Sequence, residues 1–542
     1  MEQAWWRGAV IYQIYPRSFM DASGDGIGDL QGIVQKIPYV KNLGVDAIWI
    51  SPFFKSPMKD FGYDISDYRA VDPMFGSMAD FEELMKHAKQ YQLKVIIDQV
   101  LSHTSDQHAW FKESSLSKTN DKADWYVWAD AKADGTPPNN WLSIFGGSAW
   151  QWEPRRQQYY LHNFLTSQPD LNFYNPDVRA AVLANVEFWL KLGVDGFRLD
   201  AINFCYHDKL LRDNPAKAEK DRKGRGFRED NPYAYQYHYF NNTQPENIAF
   251  MEDIRALMNK YPDVVTLGEI SSEDSLATMA EYTQGNKRLH MAYSFELLSQ
   301  ECSPSYIRAT IEALEAQLSD GWPCWAIGNH DVPRVATRWL PDETSAEKVK
   351  MFNALLGSLR GSVCSYQGEE LGLVEADIAY QYIQDPYGKS FWPTYKGRDG
   401  CRTPMPWQAD EKNAGFSVAD RTWLPLAKQH LSTSVDQQKN DENSILAAYR
   451  QFIHWRKQQP ILRYGNVEFL ESSEKLLTFV RTYKGKAILA CFNFSAAPCD
   501  VQLPTTMTLS QISGHGFNPV LLDDNQLTLS GYQVAYFHMS ES

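Results

Sequence analysis

Three carboxylates stand out by where they fall in the chain. Asp200 closes the run Gly196-Phe197-Arg198-Leu199-Asp200, Glu269 ends an apolar run within Gly268-Glu269-Ile270, and Asp331 follows Asn329-His330. Each run is short and apolar and reads as a buried strand, so each acid sits at a strand end. Carboxylates brought into one cleft supply a nucleophile and a proton donor, the pair that glycosidic bond cleavage requires. Arg198 lies two residues before Asp200, so on a strand the two side chains share a face. A guanidinium there keeps Asp200 ionised.

Something must hold these acids at one mouth. Apolar, β-rich runs recur at Val10–Tyr15, Ala47–Ser51, Lys94–Val100, Gly196–Asp200, Val264–Glu269, His290–Phe295, Cys324–Asp331 and Gly361–Gln367. Helical stretches lie between several of them, such as Met78–Tyr91 and Arg179–Leu192, the latter with Gly193 as a C-cap. Alternating units of this kind predict a TIM (β/α)8 barrel, an α/β fold whose site forms where strand ends meet the following loops. Two connections are too long for simple loops. Ser102–Tyr174, rich in Trp, Asp, Gly and Pro, predicts a small domain walling the cleft, and Leu371–Pro425 is a second excursion. The predicted division is barrel 1–101, inserted domain 102–174, barrel 175–455 and an antiparallel β domain 456–542. Lys217–Asp230 reads as a charged, solvated, mobile loop, and its place after the Asp200 strand sets it over the cleft.

Composition narrows the partners. A net charge of −14 disfavours nucleic acid and anionic membranes. Aromatic residues make up 13%, including 17 Trp and 29 Tyr, and their faces suit the C–H faces of sugars. The 7 Cys are scattered without a CxxC pair, which argues for reduced thiols. Met1–Arg7 shows no secretion signal and no window reaches the length of a membrane span, so a cytoplasmic setting is expected.

With these residues in hand, the chain resembles the α-amylase superfamily, glycoside hydrolase family 13, in its α-glucosidase and oligo-1,6-glucosidase branch. The resemblance runs over essentially the whole length. It rests on Gln168-Pro-Asp-Leu-Asn172, Gly196–Asn203 (GFRLDAIN), Gly268-Glu269-Ile270, Asn329-His330-Asp331 and Gly397–Trp407 (GRDGCRTPMPW), in the family's order. It implies a retaining double displacement with Asp200 as nucleophile, Glu269 as acid and base, and Asp331 binding hydroxyls of the distorted sugar. A separation of about 5–5.5 Å between the Asp200 and Glu269 carboxyls goes with retention. By the same resemblance His103 and His330 bond the bound sugar, Tyr63 stacks on it, and Asp64 grips its far end with Arg398 as ion-pair partner. Such a pair would close the pocket behind one glucose. Phe164 and Gln168 match a +1 site and wall.

Asp21-Ala-Ser23-Gly-Asp25-Gly-Ile27-Gly-Asp29 resembles a calcium loop, with oxygen side chains at Asp21, Ser23, Asp25 and Asp29 and a carbonyl at Ile27. One structural Ca²⁺ or Mg²⁺ is implied there, and no organic cofactor. The family pattern carries Asn in place of Ser23, which weakens one ligand. Ser102 stands where amylases carry the Asn of a second calcium site, so that ion is not expected. Ala201, next to the nucleophile, is small, and in this branch a small residue goes with α-1,4 preference and Val with α-1,6.

The expected function is an exo-acting α-glucosidase on short α-1,4 substrates such as maltose, with transglucosylation, as a monomer or homodimer. The alternatives are an oligo-1,6-glucosidase, a sucrose-active glucosyltransferase, or, from another class, a non-catalytic scaffold protein. The scaffold relatives need a membrane anchor and lose the acids, whereas this chain keeps all three.

Overall fold

Eight parallel strands form the barrel. They are Val10–Ile14, Ala47–Ile50, Lys94–Val100, Gly196–Asp200, Val265–Ile270, Met291–Ser294, Cys324–Ala326 and Ser362–Tyr366, barrel strands 1 to 8 below. Consecutive strands pair in parallel, strand 8 pairs strand 1, and a bridge from Ala292 to Pro323 closes the ring. The computed structural model describes residues 4–222, 226–228, 230–340, 345–470, 473–502, 507–523 and 526–541. Residues 223–225 and 229 of the charged segment therefore lie outside the described residues.

The barrel strands read as continuous apolar runs because they are covered on both faces: strands 1, 2, 4, 5 and 6 are buried at every position. Register sets the site. Asp98 lies opposite Arg198 and Val100 opposite Asp200, while Gly268 lies opposite Leu199. Asp98, Arg198, Asp200 and Glu269 are thus brought to one end of three adjacent strands. The helices are stopped by their own sequence. Ser77 and Asp80 make a reciprocal capping box on Met78–Gln90. Pro176–Lys191 starts before the predicted Arg179, because Asn175 caps it and Pro176 takes its first position. It ends at Gly193, whose φ of 90° only glycine adopts without strain.

The insertion after strand 3 carries a three-stranded antiparallel sheet, Trp128–Ala129, Gln158–Leu161 and Trp150–Glu153, over its own small core of Val127, Trp141, Trp150 and Leu161. The C-terminal unit holds a five-stranded and a three-stranded sheet. Its first strand is Asn466–Phe469, preceded by helices Ile445–Lys457 and Pro460–Tyr464. Two buried arginines tie this end of the chain to the barrel through carbonyls: Arg481, in the C-terminal unit, donates to Ser358 at 2.5 Å, and Arg456, in the preceding helix, to Gly8 at 2.7 Å. All seven cysteines are free thiols. Among the described residues no helix is long and apolar enough to cross a membrane.

Candidate active site

The sequence-predicted acids do converge, and one cation organises them. Arg198, fully buried, bonds Asp200 at 2.7 Å and Asp98 at 3.0 Å, and its other nitrogen lies 2.6 Å from Glu269. Tyr293 completes the ring, accepting from Arg198 at 2.9 Å and donating to Glu269 at 3.2 Å. The second Glu269 oxygen accepts the Ala201 N–H at 3.1 Å. Burial pushes Glu269 up to about 7, with Arg198 opposing and the neighbouring Asp200 and Asp331 adding to the rise. Burial raises Asp200 and Asp98 as well, against the same guanidinium. Three buried carboxyls sharing one cation hold protons among them into the neutral range. The arrangement offers one proton donor and one carboxylate facing the same space.

A second cation, Arg398, closes the other side. It bonds Asp60 at 2.8 Å, Asp331 at 3.1 Å and Asp385 at 2.8 Å, and Arg402 adds a 3.0 Å bond to Asp331. Although burial opposes it, His330, whose Nε2 lies 3.3 Å away, and the Arg398 and Arg402 guanidiniums hold Asp331 below the usual carboxylate range. Asp331 is therefore the most acidic of the three and stays ionised across the neutral range. The predicted Asp64–Arg398 pair is corrected here: Asp60, not Asp64, meets the guanidinium. The reason is the turn that carries them, where Met58 ahead of Asp60, and Phe61 and Gly62 between the two acids, all take positive φ. It folds Asp64 inward to accept Ser56 Oγ at 3.0 Å and the N–H groups of Lys59 at 2.9 Å and Asp60 at 3.0 Å. Asp64 caps the turn that presents Asp60.

Tyr63 and the two histidines line the same space. Gln13 donates to His330 Nδ1 at 2.7 Å, leaving Nε2–H for Tyr63 at 2.6 Å, and Tyr63 donates to Asp98 at 3.1 Å. The Tyr63 and His330 rings stack 5.3 Å apart. Ser102 donates to His103 Nδ1 at 3.0 Å, and Nε2–H donates to the Tyr63 carbonyl at 3.0 Å. Burial keeps both rings neutral, His103 falling to about 4. They serve as fixed hydrogen-bond groups and not as proton donors of the cleft.

The cavity around these groups is lined further by Phe145, Phe164, Gln168, Ala201, Phe204, Phe227 and Phe295. Gln168 donates to Asp60 at 3.1 Å, which places it on the wall beside the Arg398 cluster. Phe164 packs 5.1 Å from His103 and 5.3 Å from Phe204. Gly226 rests on Phe295, where a Cβ would come within 2.9 Å of the ring. The charged segment thus sends Gly226 and Phe227 into the cavity. Ala201 lines it from a left-handed backbone, φ 41°. Valine there adds bulk and a β-branched side chain in a conformation it resists. Ala201→Val is therefore expected to lower kcat/KM for maltose about 10-fold or more and shift the maltose-to-isomaltose ratio toward isomaltose. An unchanged ratio in parallel assays would refute a gating role for this position.

Asp21, Ser23, Asp25, Ile27 and Asp29 share one loop, and their donor types fit a hard cation. Their carboxylates face the loop's own donors. Asp21 accepts Gly24 and Gly26 N–H at 2.7 and 2.8 Å, the Ser23 hydroxyl at 3.1 Å and Ser417 at 2.5 Å. Asp25 accepts the Ile27 N–H at 2.8 Å, and Asp29 accepts Ser23 and Gly32 N–H at 2.9 and 2.6 Å, the latter as helix cap. Among the described residues no group of three or more His, Cys, Asp or Glu gathers where an ion could sit.

Sequence reasoning missed Asp60, Asp98, Tyr293, Asp385 and Arg402. Asp98 left a signal, a charge inside the apolar run Val95-Ile96-Ile97-Asp98. Asp385 left none, lying in an aperiodic excursion.

Comparison with known proteins agrees with this geometry. The family description "Alpha amylase, catalytic domain" matches residues 13–465, and "Maltogenic Amylase, C-terminal domain" matches 467–535. A probable alpha-glucosidase of Rhizobium meliloti is 51% identical over 96% of this chain and 95% of its own. An oligo-1,6-glucosidase of Parageobacillus thermoglucosidasius is 36% identical over 93% of each. Among solved structures, the alpha-glucosyl transfer enzyme XgtA superposes with a TM-score of 0.98 at 60% identity, covering 99% of this chain and 100% of that one. The trehalulose synthase MutB of Pseudomonas mesoacidophila does so at 0.90 and 32% identity, covering all of both chains. A barrel with its acids on strands 4 and 5, an insertion after strand 3 and a C-terminal β unit, matched end to end, make this chain a glycoside hydrolase of the α-amylase family, in its α-glucosidase and oligo-1,6-glucosidase branch.

Proposed function

We propose that the enzyme is a retaining, exo-acting α-glucosidase that removes terminal α-1,4-linked glucose from short oligosaccharides such as maltose and passes part of it to sugar acceptors. The observation that carries this reading is the blocked end of the cavity. Arg398 ties Asp60, Asp331 and Asp385 together behind the acids, a wall that suits a pocket for one terminal ring. Buried ionic closure of this kind is rigid, since each partner left alone would be an unpaired charge.

In this reading Asp200 attacks the anomeric carbon while Glu269 gives its proton to the leaving oxygen, breaking the glycosidic bond and forming a β-glucosyl ester. Glu269 then takes a proton from water or a sugar hydroxyl, whose oxygen displaces Asp200 with overall retention. A Glu269 raised to about 7 by burial is protonated when the first step needs it. The second reading, a dedicated glucosyltransferase, is favoured by the likeness to XgtA. Time-resolved proton NMR with maltose separates them: every cleavage frees the reducing-end glucose, so about two glucoses per maltose consumed support hydrolysis, and about one glucose per two maltoses, with new oligosaccharide anomeric signals, supports transfer. With p-nitrophenyl α-glucoside, whose leaving group is not a sugar, β-glucose as the first anomer released would refute retention.

Seven free thiols suit a reducing compartment such as the cytoplasm, and the net charge suits small neutral substrates. Ca²⁺ or Mg²⁺ on the Asp21–Asp29 loop belongs to the same proposal, as a staple for the loop after strand 1. An ion would compete with the N–H donors that Asp21 and Asp29 already hold. The expected stabilisation is accordingly small, about 1–2 kcal/mol, or a Tm a few degrees higher in Ca²⁺ than in EDTA. Equal Tm values would remove the ion.

A further inference from the structure

Outside the catalytic pocket lies a second cavity of about 340 Å³ that the mechanism does not use. It shares two walls with the inner pocket, Phe227 and Ser271, and none of Asp60, Asp331 or Arg398. Ser271 stands two residues beyond Glu269, so the cavity opens on the side where that acid meets the leaving group. Its other walls include Lys217, Tyr237, Asn242, Ser272 and Glu273.

At its centre is an ion pair held off the surface. Lys217 Nζ lies 2.6 Å from Glu273, and the lysine side chain is only 7% exposed. The other Glu273 oxygen accepts the His238 N–H at 2.9 Å. Lys217 is fixed from below: its N–H donates to the Tyr235 carbonyl at 2.7 Å, and its ammonium sits over the Tyr237 ring at 5.2 Å. Tyr237 in turn stacks on Tyr239, the rings 5.1 Å apart and nearly parallel. The pair carries no net charge of its own. Among the described residues of the wall the one further carboxylate, Asp221, accepts the Tyr237 hydroxyl at 3.1 Å, and none offers a free cation to an anionic ligand. The ammonium keeps further donors and the carboxylate further lone pairs. Adjacent hydroxyls of a sugar satisfy both at once, one accepting from the lysine and the next donating to the glutamate, while the aromatic walls cover a C–H face.

We propose that this outer cavity binds the second ring on the leaving-group side, with the Lys217–Glu273 pair gripping a vicinal diol of a neutral pyranose. The assignment rests on the glucosidase reading and names its chain-length and acceptor preference. In transfer, a disaccharide held here would place its hydroxyl at the ester: that oxygen bonds the anomeric carbon, the bond to Asp200 breaks, and the proton passes to Glu269.

The test compares maltotriose with maltose. Glu273→Gln and Lys217→Met keep the shapes and break the pair, and each is expected to raise KM for maltotriose about 10-fold relative to KM for maltose, with kcat little moved. Lys217→Arg should restore the ratio. Tyr237→Leu replaces them if either variant fails to fold, with the same shift expected. An unchanged KM ratio in an active, folded variant overturns the cavity. If the wild-type enzyme turns over neither sugar, the functional reading fails instead. The cavity is then judged by calorimetric titration of maltotriose, where equal Kd for wild type and Glu273→Gln overturns it.

Discussion

Asp200→Ala is expected to lower kcat/KM on maltose about 10⁴-fold, and sodium azide is expected to restore part of the rate while yielding β-glucosyl azide. The argument is positional. Asp200 ends strand 4, where Arg198 and the strand register fix its carboxyl facing the cavity. Removing it vacates the face from which a small anion can attack, and a single displacement inverts the anomeric carbon. Glu269→Ala should behave differently. With an activated leaving group the ester still forms, azide needs no general base to attack it, and the product is the α-azide. The same contrast appears in pH. Burial raises Glu269 to about 7, so wild-type kcat/KM falls above that pH as the acid loses its proton. The fall should vanish in Glu269→Gln assayed with a dinitrophenyl α-glucoside. The same azide anomer from both variants would overturn the division of roles.

How much of this was legible follows from what each residue answers to. Barrel strands buried on both faces must be apolar throughout, so all eight left runs that mark them. Asp200, Glu269 and Asp331 were visible because an acid at the end of such a run has no packing reason to be there. The Asp60-Phe-Gly-Tyr-Asp64 turn shows the limit. Both acids are buried, and the path of the turn, with positive φ at Phe61 and Gly62, brings Asp60 to Arg398 and turns Asp64 onto Ser56 and the turn's own N–H groups. Backbone handedness at non-glycine positions is set by the packed turn, not by composition, so the sequence pointed to the wrong carboxylate. The excursion after strand 8 shows it again. Arg398 belonged to a recognisable motif, but its partner Asp385 sits in a segment whose path no periodicity reports. Of the two helices named from sequence, Met78–Tyr91 kept its start, and Arg179–Leu192 lost its first turn at Asn175-Pro176, where the cap lies upstream of the apolar stripe.

Arg198→Met tests whether one cation holds the catalytic end of the barrel together. Methionine keeps much of the stem volume and removes the charge that Asp98, Asp200 and Glu269 share. Breaking a buried ionic cluster from one side leaves unpaired carboxylates, a cost of about 3–5 kcal/mol. Burial already raises Asp98 to about 6 and Asp200 and Glu269 to about 7, with Arg198 opposing in each case. Without that opposition all three rise further. An ionised nucleophile then becomes scarce at neutral pH, and kcat should fall about 10³-fold. Stability carries the sign of the same shift. A carboxyl whose folded pKa lies above its unfolded value is stabilised relative to the unfolded chain as pH drops through the folded value, and destabilised as pH rises through it. The Tm deficit of Arg198→Met against wild type should therefore be larger at pH 8.5 than at pH 5.5. Adding Asp98→Asn, which removes one of the stranded charges while the Tyr63 and Trp49 donors keep an acceptor, should recover part of the deficit and none of the activity. A deficit that ignores pH would mean the guanidinium acts by packing against Trp49 and Tyr63, and the acids would then have to be charged and positioned by something else.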